Sequence, residues 1–410
     1  MSTHNNLSSG KRGTSVRSDC YFEIELTAKG GINIESKSKV EALYGKQNRE
    51  FILKLCANAK IKNANILFED SGALPFVIAA RFDAAVSEGF QNHNIFQTTQ
   101  SEDFSSTTSK NRLRRSRLYL PGNEPKFFLN AGLHKPDGII LDLEDSVSPQ
   151  EKEQARFLVK NALRSVNFYG CERMVRINQL PMGIKDLQFV IPENVHVILL
   201  PKCESDEQVK LVGDEIFEIK KLHRLSNPIY IMPIIESAKG VENAYKIASA
   251  SPYVCALTIG LEDYTADIGT ARTQTGTESF YARSVVINAA KSAGIQAIDS
   301  VFSDVADMNA LTQSVLEAKS LGFEGKGCIH PRQIEPIHAA FAPTQDEIQK
   351  ASKIVVAFDE AQKRGSSVIS IGSKMIDPPV VKRALRVIEL ALLNNLIDEN
   401  WRENYENAVK

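Results

Sequence analysis

Three features of this 410-residue chain predict an α/β fold of the TIM (β/α)8 barrel class. Eight short apolar runs recur between Arg115 and Pro331, helically spaced stretches separate them, and polar residues gather at one end of the runs. Buried parallel strands read as continuous Val/Ile/Leu runs, and a β/α barrel presents its working groups where its strands end. The runs are RSRLYLP (115–121), GIILDLED (138–145), RMVRIN (173–178), HVILLPK (196–202), IYIMPIIES (229–237), VCALTIG (254–260), QAIDSV (296–301) and GKGCIHP (325–331). In order they deliver a Pro-Gly turn, Glu144 with Asp145, Arg176 with Asn178, Lys202, Glu236, Asp263 in the GLEDY that follows, Asp299, and His330. EKEQARFLVKNALRS and ADMNALTQSVLEAKSLG have helical spacing between runs, the second closed by Gly322 as a C-cap.

A barrel takes roughly 250 residues, so chain is left over at both ends. Residues 1–17 are expected to be a disordered tail; MSTHNNLSSGKRGTS has no apolar core of a secretory signal. Residues 18–87 read as a small α+β domain. CYFEIELT alternates as a strand does, GGINIES follows a Gly-Gly turn, and KNANILFEDSGA holds a third strand. REFILKLCANA and LPFVIAARFDAAV have helical spacing. The Ser-, Thr-, Gln- and Asn-rich stretch 88–112 reads as a flexible tether. The barrel domain is placed at 113–340, and 341–410 is a C-terminal helical extension. It comprises TQDEIQKASKIVVAFDEAQKRG, the turn-rich SSVISIGSKMIDPPV and VVKRALRVIELALLNNL. Such an extension either covers a neighbouring subunit's barrel mouth or simply stabilises the chain.

Composition narrows the function. The chain is 43% hydrophobic and 24% charged with a formal net charge of −1, which argues against nucleic acid as the main partner. No apolar run approaches the ~20 residues of a membrane span. Six cysteines lie far apart with no CxxC pair, so buried thiols and a cytoplasmic location are expected. The barrel region has no GxGxxG or Walker loop to support nucleotide chemistry.

Glu236 and Asp263 are expected to end the fifth and sixth strands, side by side on one rim. Two carboxylates facing one cavity repel unless a cation or a shared proton intervenes, and Mg²⁺ suits such hard oxygens. The plain alternative is a helix cap or a lysine pair. Arg176 suits a bidentate grip on a substrate carboxylate, or else a salt bridge to Glu144 or Asp145. Those acids would orient metal waters, hold Arg176, or cap the next helix. PGNEP (121–125) is either a turn or an anion-receiving helix start. His330 is a general base or a structural group. Lys202 could form a Schiff base, which a metal pair would make redundant.

RRSRLYLPGNEP, GIILDLEDSVSPQEKEQAR, VRIN, LLPKCES, PIIESAKGV, GLEDYTADIG, GFEGKGCIHPRQI and SKMIDPPVV, in this order over roughly 113–398, resemble the beta subunit of citrate lyase. Its HpcH/HpaI aldolase superfamily includes the malyl-, citramalyl- and citryl-coenzyme A lyases. The resemblance implies a Mg²⁺-dependent carbon–carbon lyase acting on a coenzyme A thioester. It puts the metal on Glu236 and Asp263 and the substrate carboxylate on Arg176, with Glu144 and Asp145 nearby in the substrate site. It also makes Asp377 a catalytic group on a C-terminal lid exchanged within a homo-oligomer, a trimer or hexamer. The implied reaction splits a citryl-type 3-hydroxyacyl thioester into oxaloacetate and an acetyl thioester. Malyl- or citramalyl-coenzyme A cleavage is the neighbouring alternative, and a non-catalytic thioester-binding or assembly protein is the alternative of another class.

GTSVRSD, INIESKSKVEALYG and EDSGALPFVIAARFDAAV resemble the gamma subunit of citrate lyase, its acyl carrier protein. That carrier bears a coenzyme-A-like group on a serine two places before the aspartate that closes its Gly-Thr signature. Here Arg17 holds that place and Ser18 follows it. Either Ser18 takes the group, or the domain keeps the carrier fold without the arm. In the second case the substrate is a free coenzyme A thioester.

Overall fold

The computed structural model describes residues 7–87, 100–102, 104–363, 369–371 and 374–409. They divide into two compact units, one drawn from Met1–Asp307 and Ala318–Ile334, the other from Met308–Glu317 and Glu335–Lys410.

The first unit begins with β1 (Leu7–Gly10), β2 (Cys20–Leu26), β3 (Ile32–Ser38), α1 (Glu41–Asn58), β4 (Ala64–Asp70) and α2 (Pro75–Ser87). The sheet runs β1-β2-β4-β3, with β3 parallel to β4 and the other pairs antiparallel. Cys20, Phe22 and Ile24 of β2 point into the core, as their alternation requires. The disordered tail expected over 1–17 is corrected here. Leu7 to Gly10 pair with β2 in the register Leu7↔Ile24, and Leu7 and Ser9 are buried. LSSG is too short and polar to announce a strand; its ladder comes from the partner.

Helix α2 is buried from Phe76 to Val86 because it meets its own sheet on one side and α3 (Lys152–Ser165) of the barrel on the other. Arg81, in its middle, donates to both oxygens of Asp19 at 2.9 and 2.7 Å and to Gln154 of α3 at 3.1 Å. The flexible tether expected over 88–112 also needs correction. Residues 88–99 and 103 lie outside the described residues, but 104–112 are held on the barrel. Arg173 donates to the Phe104 and Ser106 carbonyls at 3.1 and 3.3 Å, Asn194 donates to Ser106 at 3.0 Å, and Arg112 donates to the Gly170 carbonyl at 2.6 Å. Backbone carbonyls, not apolar side chains, anchor this stretch, so its composition conceals the docking.

The barrel strands are β5 (Ser116–Pro121), β6 (Gly138–Asp142), β7 (Glu172–Arg176), β8 (Val197–Leu200), β9 (Tyr230–Ile235), β10 (Ala256–Ile259), β11 (Gln296–Asp299) and β12 (Gly325–Cys328). They close as a parallel barrel in sequence order, with β12 against β5. In the chain they alternate with α3, α4 (Met182–Val190), α5 (Asp206–His223), α6 (Ala238–Glu242), α7 (Ala244–Ala248), α8 (Leu261–Asp267), α9 (Phe280–Ser292) and α10 (Met308–Leu321). Ile140, Met174, Val197, Leu199, Met232, Ile234 and Ile298 fill the interior. Register then lifts polar groups to the rim above them: Pro121 aligns with Asp142, and Asp142 with Arg176.

The second unit holds α11 (Ile334–Phe341), α12 (Gln345–Lys363), the hairpin β13 (Ile369–Ile371) with β14 (Lys374–Ile376), α13 (Pro378–Leu393) and α14 (Trp401–Val409). Ala351 and Val355 of α12 pack on Ala384 and Ile388 of α13, and Trp401 of the unforeseen α14 joins them. No helix among the described residues is long and apolar enough to cross a membrane.

Candidate active site

A cavity of about 380 Å³ opens at the C-terminal ends of the strands, lined by Asp142, Asp145, Arg176, Glu236 and Asp263 around Arg117, Tyr119 and Thr258. Glu236 follows the last residue of β9 and is 5% exposed. Its Oε1 accepts the Lys202 N–H at 2.6 Å. Burial pushes its carboxyl up to about 8, and Asp263 and Glu144 add to that push against the Lys202 N–H and Arg176. Asp263 does not end a strand, as the sequence suggested. It lies in the first turn of α8, because the chain is already helical from Leu261 onward, and its half-exposed carboxylate faces the same cavity.

Lys202 points its ammonium among the acids, 3.3 Å from Asp263, 3.6 Å from Glu144 and 3.6 Å from Asp145. Burial alone would lower its pKa, but those three carboxylates raise it. A lysine held this firmly as a cation is a poor Schiff-base nucleophile.

Arg176 ends β7 and pairs with Glu144, one of the two acids expected for it, and with Asp142, which was not. Its Nε and Nη2 donate to the two oxygens of Asp142 at 2.7 Å each, and Nη1 lies 3.0 Å from Glu144 Oε2. Burial would raise the Asp142 carboxyl, yet the Arg176 pair holds it below the usual carboxylate range. Asp142 is the member that sequence reasoning missed. It sits inside GIILDLED two residues before Glu144, the spacing that puts side chains on one face of an extended chain, and that spacing was the available signal. Glu144 accepts from Gln179 at 3.0 Å, and burial raises its carboxyl above the usual range. Asp145 stands more than half exposed.

The remaining candidates each have partners of their own among the described residues. Asp299 pairs with Lys326 at 2.6 Å and with Arg283 at 3.4 Å, all three buried. His330 accepts the Arg332 N–H at 3.1 Å, capping a short turn. PGNEP is a turn whose Gly122 N–H goes to the Asp142 carbonyl and whose Glu124 pairs with Lys11 and Lys126. Asp377 belongs to the second unit, where its Oδ1 accepts the Val380 N–H at 3.2 Å as the N-cap of α13. In the N-terminal domain Arg17 is exposed, and Ser18 is half-buried at φ 54° with its N–H donated to Ser71.

A family model described as HpcH/HpaI aldolase/citrate lyase matches residues 115–331. One described as malonate decarboxylase delta subunit matches residues 9–89. Citrate lyase subunit beta of Leuconostoc mesenteroides subsp. cremoris is 41% identical over 290 residues, 70% of this chain and 96% of the relative. Mitochondrial citramalyl-CoA lyase of Mus musculus is 33% identical over 293 residues, 68% of this chain and 86% of the relative. Among solved structures, protein CitE from Mycobacterium tuberculosis in complex with magnesium, acetoacetate and coenzyme A is similar, with a TM-score of 0.57. It is 26% identical, covering 69% of this chain and 99% of that one.

Proposed function

Because the chain belongs to the HpcH/HpaI aldolase/citrate lyase family and is a carbon–carbon lyase, we propose that it splits a citryl-type 3-hydroxyacyl-coenzyme A thioester into oxaloacetate and acetyl-coenzyme A. The observation that carries this reading is the pair Glu236 and Asp263 facing one cavity beside Arg176. The pair fits Mg²⁺. Both donors are hard carboxylate oxygens, and among the described residues neither an imidazole nor a thiolate lines the cavity to favour zinc. Two protein carboxylates leave coordination places for substrate and water. The Lys202 ammonium among the same acids marks the place as one that attracts a cation. Glu236 and Asp263 would hold the ion; the similar mycobacterial protein was solved with magnesium. When bound, Mg²⁺ polarises the hydroxyl and carboxylate oxygens of the substrate as a Lewis acid.

The chain's own groups do the rest. Arg176, fixed by Asp142 and Glu144, turns its remaining N–H groups to the substrate carboxylate. Asp377, supplied by the C-terminal lid of a neighbouring subunit in a homo-oligomer, accepts the hydroxyl proton as the carbon–carbon bond breaks. The products are the keto acid and the thioester enolate, which is then protonated. Coenzyme A enters free: Arg17 stands where the related carrier has its serine, so the N-terminal domain keeps the carrier fold without the arm. Six buried thiols suit a reducing cytoplasm.

The test is a panel of citryl-, citramalyl- and malyl-coenzyme A, each assayed for keto-acid release with and without EDTA. Release of oxaloacetate that EDTA abolishes is expected. A rate indifferent to EDTA refutes the metal, and no cleavage of any thioester refutes the reaction.

A further inference from the structure

Two arginines line the cavity, and they are partnered in opposite ways. Arg176 is gripped by two acids. Arg117, on β5 and 1% exposed, has no carboxylate beside it among the described residues. Its Nη2 donates to Thr258 Oγ1 at 3.0 Å, its Nη1 lies against Met232 Sδ at 3.0 Å, and its buried Nε has no partner. Arg81, Arg114 and Arg156 are as deeply buried, and each holds a carboxylate, from Asp19, Glu172 and Asp186. A guanidinium stays charged in proteins, so one buried without an anion is costly unless an anion arrives.

Its level in the barrel says which anion. Thr258 is aligned with Ile234 of β9, and Glu236 stands two residues beyond Ile234, about 6.6 Å further along the strand. The Arg117 fork therefore lies one interior layer beneath the Glu236 carboxylate, in the same cavity. A substrate clasped at the rim by Glu236, Asp263 and Arg176 directs its remaining substituent down toward that fork. In malyl-, citramalyl- and citryl-type thioesters this substituent is hydrogen, methyl or carboxymethyl, and the last alone carries an anion.

We propose that Arg117, with Thr258 beside it, is the seat for a second carboxylate on the keto-acid half of the substrate and selects the carboxymethyl-bearing thioester over the methyl-bearing one. The inference rests on the lyase reading above for the placement of the substrate, and its test is chosen to separate the two.

Calorimetry with Mg²⁺ compares oxaloacetate with pyruvate on the full chain, its Arg117→Met variant and its Arg117→Lys variant. The native chain should bind oxaloacetate some 30- to 100-fold more tightly, the size expected of one charged hydrogen-bonded contact. Arg117→Met should erase that preference while leaving pyruvate affinity unchanged, and Arg117→Lys should keep part of it. Methionine beside Met232 removes an unpaired buried charge, so this variant should fold; its melting temperature checks that. The citryl-to-citramalyl ratio of kcat/KM should fall in parallel. Equal binding of both keto acids by the native chain, binding of neither at millimolar concentration, or a preference retained in Arg117→Met overturns the proposal. A native chain that prefers oxaloacetate yet cleaves no thioester keeps the Arg117 seat and refutes the lyase reading. Citryl cleavage with an unchanged ratio in Arg117→Met refutes the seat alone.

Discussion

Glu236 stands where it does because residue 260 has no side chain. A Cβ at Gly260 would lie 2.4 Å from Glu236 Oε2 and 2.9 Å from its Cβ, so even alanine must displace the carboxylate. Gly260→Ala is thus expected to weaken Mg²⁺ dependence and cut turnover by about a hundredfold, the usual effect of a misplacement near 1 Å. A magnesium titration of the rate reads this, and a native titration curve would show that the Glu236 position does not matter. Glu236→Gln and Asp263→Asn should each cost at least about a hundredfold, with EDTA having no further effect. At this scale the sequence showed Glu236, Asp263 and Arg176 as polar ends of apolar runs. It hid Asp142 and Arg117, whose roles depend on strand parity and on neighbours far away in the chain: Arg176 is 34 residues from Asp142, and Thr258 is 141 from Arg117.

Helix α2 carries a titration of its own. Asp83 is 1% exposed, neither of its oxygens has a hydrogen-bond partner among the described residues, and burial pushes its carboxyl up to about 7 despite Lys160 on α3. An unfolded aspartate titrates near 3.9, so between those values the folded chain holds a proton that the unfolded chain has lost. The stabilisation is complete below about pH 4 and disappears as pH rises through about 7. The α2–α3 contact should therefore melt earlier at pH 8 than at pH 6, and Asp83→Asn should flatten that slope. Amide exchange of α2 across this range checks it, and an identical slope in the variant would contradict the assignment. Arg81→Met strands Asp19 in the same contact, and breaking a buried pair in this way costs roughly 3–5 kcal/mol. Urea unfolding measures that loss, and a midpoint unchanged by the substitution would show that the pair holds nothing together. All eight barrel strands were legible because burial on both faces leaves continuous apolar runs. Neither β1 nor the docking of 104–112 was legible, since both are held by main-chain hydrogen bonds to distant partners.

For the molecule as a whole the question is where Asp377 acts. In its own unit it caps α13, a role that asparagine performs equally well. Asparagine cannot take up a proton, so Asp377→Asn separates the cap from the chemistry. The variant should melt with the native chain and lose turnover by two orders of magnitude or more, about the contribution of one general base. If subunits exchange their lids as proposed, a sharper expectation follows. Glu236→Gln keeps Asp377 but removes a rim carboxylate, and Asp377→Asn keeps the rim but removes the lid carboxylate. Each assembly alone is inactive, but mixed assemblies of the two hold some rims facing an intact lid from the other chain. Co-expression of the two variants with different tags, followed by tandem purification, should restore a measurable fraction of native turnover. If the lid instead closes over its own barrel, every chain in the mixture carries one defect in its own site, and the mixed assembly stays as inactive as its parents.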